Sequence, residues 1–231
     1  MAEWSSYSLS DLLLFSLQAY IGLFELLNTA LWPAHMFILA VGLGIGLLVL
    51  KRSGAGYRFI WGLLGLLWIW TGWYFFSVHY TAINWAAAYV APAFWLQGLL
   101  FGLFAVAPQS PDIRYTRTAA DRTAIVLYLF ALIGYPAVTL ALGRSLDSVE
   151  FLGISPDPGV AATLAILVLS RGSFIWLAWI VPIVWCVLTG LTLWMLGSPE
   201  FFIAPLAGAA AVVAAVAAVS GRRLSQPVRT G

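Results

Sequence analysis

The sequence predicts an all-α membrane protein. The expected form is a seven-span transmembrane helix bundle, N-terminus outside and C-terminus in the cytoplasm, with an N-terminal interfacial amphipathic helix. Three observations predict it. Of 231 residues, 62% are hydrophobic and 9% charged, whereas a soluble domain carries about 25% charged residues. Apolar runs of spanning length recur along the whole chain, which has a mean hydropathy of +0.96. Lysine and arginine gather on alternate connections, as they do in short cytoplasmic loops.

The N-terminal stretch 8–32 reads as the interfacial helix. Asp11, Gln18 and Glu25 recur every seven residues, with Gly22, Asn28 and Thr29 close by, and the rest is Leu, Phe, Ile and Tyr. That is one narrow polar stripe on an apolar helix. Ser8 with Asp11 three residues on resembles a capping box. Thirteen residues separate Asp11 from Glu25, too few to span, so the helix is expected to end at the Trp32–Pro33 corner. The start MAEWSSYSLSDLL lacks the basic region of a secretory signal, so Met1 is expected to be the true start.

A spanning helix needs roughly 20 mostly apolar residues. The runs Pro33–Leu50, Arg58–Ser77, Trp85–Ala107, Thr123–Gly143, Phe174–Leu196 and Phe201–Val219 qualify. Pro156–Ser170 is short, and local thinning of the bilayer is expected to accommodate it. Ser155 is its expected cap, and Pro156, Asp157 and Pro158 suit a first turn. Charge favours its crossing. With seven spans the inner connections hold Lys51, Arg52, Arg58, Arg114, Arg117, Arg122, Arg171, Arg222, Arg223 and Arg229, ten of the eleven basic residues, and only Arg144 lies outside. The whole chain, 1–231, therefore reads as one integral membrane domain.

Composition also narrows the chemistry. The one cysteine, Cys186, lies in an apolar run and excludes an intramolecular disulfide. The single lysine, Lys51, sits at the cytoplasmic end of the first span, so a retinal Schiff base is excluded. No phosphate-binding loop, HExxH or GxSxG motif is present. Pro92, Pro136 and Pro182 fall inside spans, where each removes a backbone hydrogen bond and can kink its helix. Gln97 and Thr189 are polar residues that could line a cavity. The small-residue run PLAGAAAVVAAVAAV, Gly42-x-x-x-Gly46 and Gly98-x-x-x-Gly102 suit close helix packing.

Polar residues collect at the expected outer boundary. Glu25, His35, His79, Asn84 and Asp157 could converge there on one outward-facing site. Two imidazoles with carboxylates suit a divalent metal, and two imidazoles suit haem. The plainer alternative is that each histidine anchors at headgroup level and each acid caps a helix. Trp73, Tyr80, Trp85 and Tyr89 belong to an aromatic crowd at the same level. They read either as an interfacial belt or as a pocket for a flat ligand such as a quinone, a carotenoid or haem. In the connection 143–159, Leu146, Val149, Phe151, Leu152 and Ile154 suggest a segment packed back onto the bundle.

The segments YSLSDLLLFSLQAYIGLFELLNTALWP, INWAAAYVAPAF, GYP, FLGISPDPGVAATLAIL and PIVWCVLTGLTLWML resemble an uncharacterised bacterial multi-pass membrane protein family, domain of unknown function 6064. The resemblance covers nearly the whole chain. It implies a bacterial inner (plasma) membrane location and a permease-like label, and it assigns no catalytic residues. Where the family pattern has two adjacent tryptophans near the N-terminus, this chain has Trp4–Ser5. The expected function is a small permease, or a subunit of a larger membrane complex, with an outward-facing binding site and no enzymatic activity. The alternative is a membrane oxidoreductase or cofactor-binding protein (haem, quinone or metal) with an outer His/Glu site. Expected partners are the lipid bilayer and further copies or other membrane subunits, with no nucleic acid.

Overall fold

A computed structural model describes residues 15–51 and 56–224, with side chains through 220. Asp11, the Ser8–Asp11 capping pair, Trp4, Arg52 and Arg229 lie outside the described residues. Among these residues eight long helices follow in order: α1 (Leu17–Leu31), α2 (Ala34–Leu50), α3 (Gly56–Ala82), α4 (Ala87–Val106), α5 (Ala119–Ala141), α6 (Pro156–Leu169), α7 (Ile175–Met195) and α8 (Ile203–Leu224). Among the described residues five helices, α3, α4, α5, α7 and α8, are long and apolar enough to cross a membrane.

Helix α1 starts at Ser16, whose hydroxyl accepts from the Ala19 amide. It ends at Trp32, which takes an extended conformation ahead of a cis bond to Pro33. The chain turns by 90° there before α2 begins. The polar stripe expected on α1 divides: Gln18 and Glu25 are exposed, whereas Asn28 is buried with Tyr20, Leu23, Phe24 and Leu27.

Proline and irregular turns shape the long helices. In α5 the turn Phe130–Gly134 is widened to a π-helix just before Pro136, and the Tyr135 amide reaches the Phe130 carbonyl five residues back. Pro136 has no N–H, and its ring would meet the Leu132 carbonyl in a regular helix; widening the turn relieves both conflicts. Pro182 sits where a tight 3-10 segment, Ile175–Trp179, passes into α-helix. Helix α3 runs past its expected end at Ser77, through a π-helical stretch Thr71–His79 and a 3-10 turn Tyr80–Ala82.

The short helix α6 is the axis of the molecule. All fourteen of its residues are buried. At about 1.5 Å per residue it is about 21 Å long, less than the roughly 30 Å hydrocarbon core. Bilayer thinning does not account for its length, because protein rather than lipid surrounds it. Its all-round apolar sequence PDPGVAATLAILVL suits that position. Its one mid-helix hydroxyl is satisfied: Trp68 donates to Thr163 at 2.9 Å, and Thr163 donates to the Gly159 carbonyl at 2.8 Å. The expected cap is absent. Ser155 makes no cap hydrogen bond and instead donates to the Phe151 carbonyl.

Helix α6 joins two opposite ends of the bundle. At its C-terminus, Ser170–Arg171 pairs antiparallel with Asp112–Ile113 from the α4–α5 connection. The same connection accepts from Trp61 and Arg58 at the start of α3, through the Pro111 and Pro108 carbonyls. Arg58, Arg114, Arg117, Arg122 and Arg171 therefore share one end. At the other end, Asp157 meets the α5–α6 and α7–α8 connections, which carry Arg144, Asp147, Glu150 and Glu200. There Gly153, at φ +80°, turns the chain so that its carbonyl accepts from Trp70 of α3 at 3.0 Å. A Cβ at Gly153 would lie 2.9 Å from Ile38 of α2.

Candidate functional site

The acidic end holds two adjoining features, one buried and one open. The buried one is an ionic cluster under α1. Arg144, just beyond α5, donates from Nε to Glu200 Oε1 at 2.8 Å and from Nη2 to Glu200 Oε2 at 2.6 Å. This is the two-pronged geometry that makes arginine–carboxylate pairs strong. Nη1 donates to the Ser148 carbonyl at 3.0 Å, and Nη2 lies 3.4 Å from Glu150 Oε1. The rings of Phe24 and Tyr20 lie over the guanidinium, with centroids 5.0 and 5.8 Å away, so α1 covers the cluster with cation–π contacts. Burial opposes the charge on Arg144, but the hydrogen-bonded Glu200 carboxylate outweighs it and holds the guanidinium pKa above the ordinary arginine value.

Asp157 forms the floor. It sits in the first turn of α6, where the helix dipole favours a carboxylate. Trp185 of α7 donates to Oδ1 at 2.6 Å, while Tyr135 of α5 and Thr189 of α7 donate to Oδ2 at 2.8 and 3.1 Å. Three donors from two neighbouring helices thus hold one buried carboxylate. Tyr135→Phe, which removes only the hydroxyl, is expected to destabilise the protein by about 1.5–3 kcal/mol, the worth of a hydrogen bond to a charged group. Unfolding midpoints in detergent check this; an unchanged midpoint would mean that Asp157 does not depend on that donor.

The open feature is a cavity of about 570 Å³ at the α1–α2 corner. Asn28, Trp32 and His35 line it on one side, and Asp147, Phe151 and Leu152 on the other. Asn28 joins the two features. Its Nδ2 donates to the Asp147 and Val149 carbonyls at 2.8 and 2.9 Å, and its Oδ1 lies 3.2 Å from His35 Nε2. With its nitrogen committed to two carbonyls, Asn28 presents an acceptor to His35. His35 Nε2 must then carry the proton, leaving Nδ1 as a lone-pair acceptor in the neutral ring. That Nδ1 is buried and has no hydrogen-bond partner. The ring stands edge-on to Phe151, centroids 5.0 Å apart.

The structure does not assemble the five polar residues as the sequence suggests. Asp157 belongs to the buried cluster and His35 to the cavity. His79 bonds the Tyr74 carbonyl at 2.8 Å and packs on the Tyr74 ring. Asn84 caps the turn before α4 by accepting from the Ala86 amide. Glu25 is exposed on α1. No hydrogen bond or ring contact joins His35 to His79, and among the described residues no three His, Cys, Asp or Glu side chains are placed to hold a metal ion. The four aromatics separate too. Tyr80 is buried against Phe15, Tyr20, Phe75 and Phe76, whereas Trp73, Trp85 and Tyr89 face outward. Thr189 does line an interior polar site, and Gln97 donates to the Ala178 carbonyl at 3.1 Å.

The sequence alone does not mark Arg144, Glu150 and Glu200 as site residues, because each lies in a connection between helices. A signal was available. Arg144 is the one basic residue on the acidic side, and an isolated cation among acids has a reason to pair.

Five helices long and apolar enough to cross a membrane, packed with a fully buried helix and carrying an enclosed ion cluster, are an architecture compatible with an integral membrane protein. The chain belongs to a family of unknown function (DUF6064), whose model matches residues 17–226. No curated protein and no solved structure matches it.

Proposed function

We propose that this is a seven-span plasma-membrane protein, N-terminus outside and C-terminus in the cytoplasm, that binds a small ligand on its outer face in the α1–α2 cavity. It works there as a small permease or as a ligand-binding subunit of a larger membrane complex. The cavity carries this reading. It opens at the end rich in acidic residues, which the distribution of Lys and Arg assigns to the outside, and it holds a histidine nitrogen without a partner. A neutral His35 offers that nitrogen as an acceptor, and the walls are largely apolar. The matching ligand has an apolar body and a hydrogen-bond-donating head, such as a hydroxyl or an amine. The seven-span count is supported by α6, whose two ends lie in opposite connection layers.

Cysteine labelling tests both parts. In a Cys186→Ser background, Thr29→Cys at the cavity and Ala119→Cys at the basic end are both exposed positions. A membrane-impermeant maleimide applied to intact cells is expected to modify the first, and to modify the second only after permeabilisation. Modification of both from outside would defeat the proposed topology. Modification of Ala119→Cys alone would invert it and place the cavity on the cytoplasmic side.

A further inference from the structure

The buried cluster contains three carboxyl groups and one cation. Arg144 is taken up by the two-pronged pair with Glu200. Asp157 has three donors and the N-terminus of α6. Glu150, 1% exposed, has neither. The carboxyl has the 3.4 Å contact of Oε1 with Arg144 and the nearby Ser155 hydroxyl, while its Oε2 is buried with no hydrogen-bond partner. The titratable groups facing it come from every neighbouring element: Tyr20 of α1, Tyr80 of α3, Tyr135 of α5, Asp157 of α6, Glu200 before α8, and Arg144 of its own connection. Only Arg144 is positive. An ionised Glu150 would be a second uncompensated anion beside Asp157, out of water, whereas an unpartnered neutral carboxyl costs far less to bury.

We propose that Glu150 is a proton-binding site, its Oε2 carrying a proton in the resting protein beside the Arg144 guanidinium that Tyr20 and Phe24 of α1 cover. The ligand is the proton itself. Burial pushes the Glu150 carboxyl well above the usual carboxylate range, Asp157 adds to the effect, and Arg144 opposes it. The native state therefore keeps a proton that the unfolded chain releases. The stability that Glu150 contributes is complete below the ordinary glutamate range and falls as pH rises towards its native value.

Infrared spectroscopy of the purified full chain at neutral pH tests this directly. The wild type is expected to show the carbonyl band of a protonated carboxylic acid, shifted in D2O and absent from Glu150→Gln. Gln resembles the neutral acid, so this variant is expected to fold and to lose the wild type's decline in unfolding midpoint with rising pH. If Glu150→Gln does not fold, the wild-type spectrum decides: exposed carboxyls are ionised at neutral pH, so the absence of an acid band overturns the proposal. Survival of the band in Glu150→Gln, with its loss in Asp157→Asn, would also overturn it by moving the proton to Asp157.

Discussion

Replacing Arg144 with methionine is expected to destabilise the protein by about 3–5 kcal/mol, because it leaves the Glu200 carboxylate buried without its counter-ion. Arg144 and Glu200 side chains are 2% and 4% exposed, and Nη2 to Oε2 is 2.6 Å. The prediction has a second half. Adding Glu200→Gln to Arg144→Met removes the stranded charge and is expected to recover most of the loss, since a buried pair replaced by neutral groups is often close to neutral in stability. A double-mutant cycle on unfolding midpoints measures that coupling. Simple addition of the two single losses would show that the pair does not act as a unit.

Gly98→Leu is expected to abolish the packing of α3 on α4 and with it the yield of folded protein. Gly98→Ala is expected to cost about 1–3 kcal/mol, the usual range for overpacking a tight contact. A Cβ on Gly98 would lie 2.6 Å from Ile69 Cγ1, 2.8 Å from the Gly65 carbonyl oxygen and 3.0 Å from the Ile69 amide nitrogen. Two of those three are backbone atoms, so a rotamer change cannot relieve the clash. Gly102 provides the control. A Cβ there meets nothing within 4 Å, so Gly102→Ala is expected to leave thermal unfolding in detergent nearly unchanged. Equal effects at the two positions would contradict the packing described.

The contrast between Gly98 and Gly102 shows what a sequence motif conveys. Gly98-x-x-x-Gly102 predicts that two helices approach closely, and they do. It does not say at which glycine a Cβ would clash: both backbones lie against Gly65 of α3, but only the Cβ direction of Gly98 points into it. The proline positions behave similarly. Pro136 announces a disturbance in α5, but its form, a π-helical turn ahead of the proline, is set by which carbonyl must be re-satisfied.

The site was legible in part. Asp157 and Thr189 stand out as polar residues in apolar surroundings, and both belong to the buried cluster. His35 stands out by type, yet its partner Asn28 comes from α1 and is reached only because the chain turns at Trp32–Pro33. Arg144, Glu150 and Glu200 are scattered over 57 residues of sequence, in two different connections. No local pattern links them. Only the return of those two connections to the N-terminus of α6 does so.

The uneven placement of charge and the apolar runs are matters of composition along the chain. They determine that this protein is a set of apolar helices with a basic end and an acidic end. Whether α6 meets lipid or protein is a different kind of property. Its length and hydropathy suit a short helix bordered by thinned lipid, and the same residues suit a helix enclosed by its neighbours. Tertiary packing chose the second, because enclosing α6 satisfies Thr163 through Trp68 and brings three donors onto Asp157. The ion cluster was decided in the same way. A charge in a connection costs little while it faces water, so its sequence carries no sign of burial. It becomes costly, and specific, once α1 folds over it and its partners are fixed.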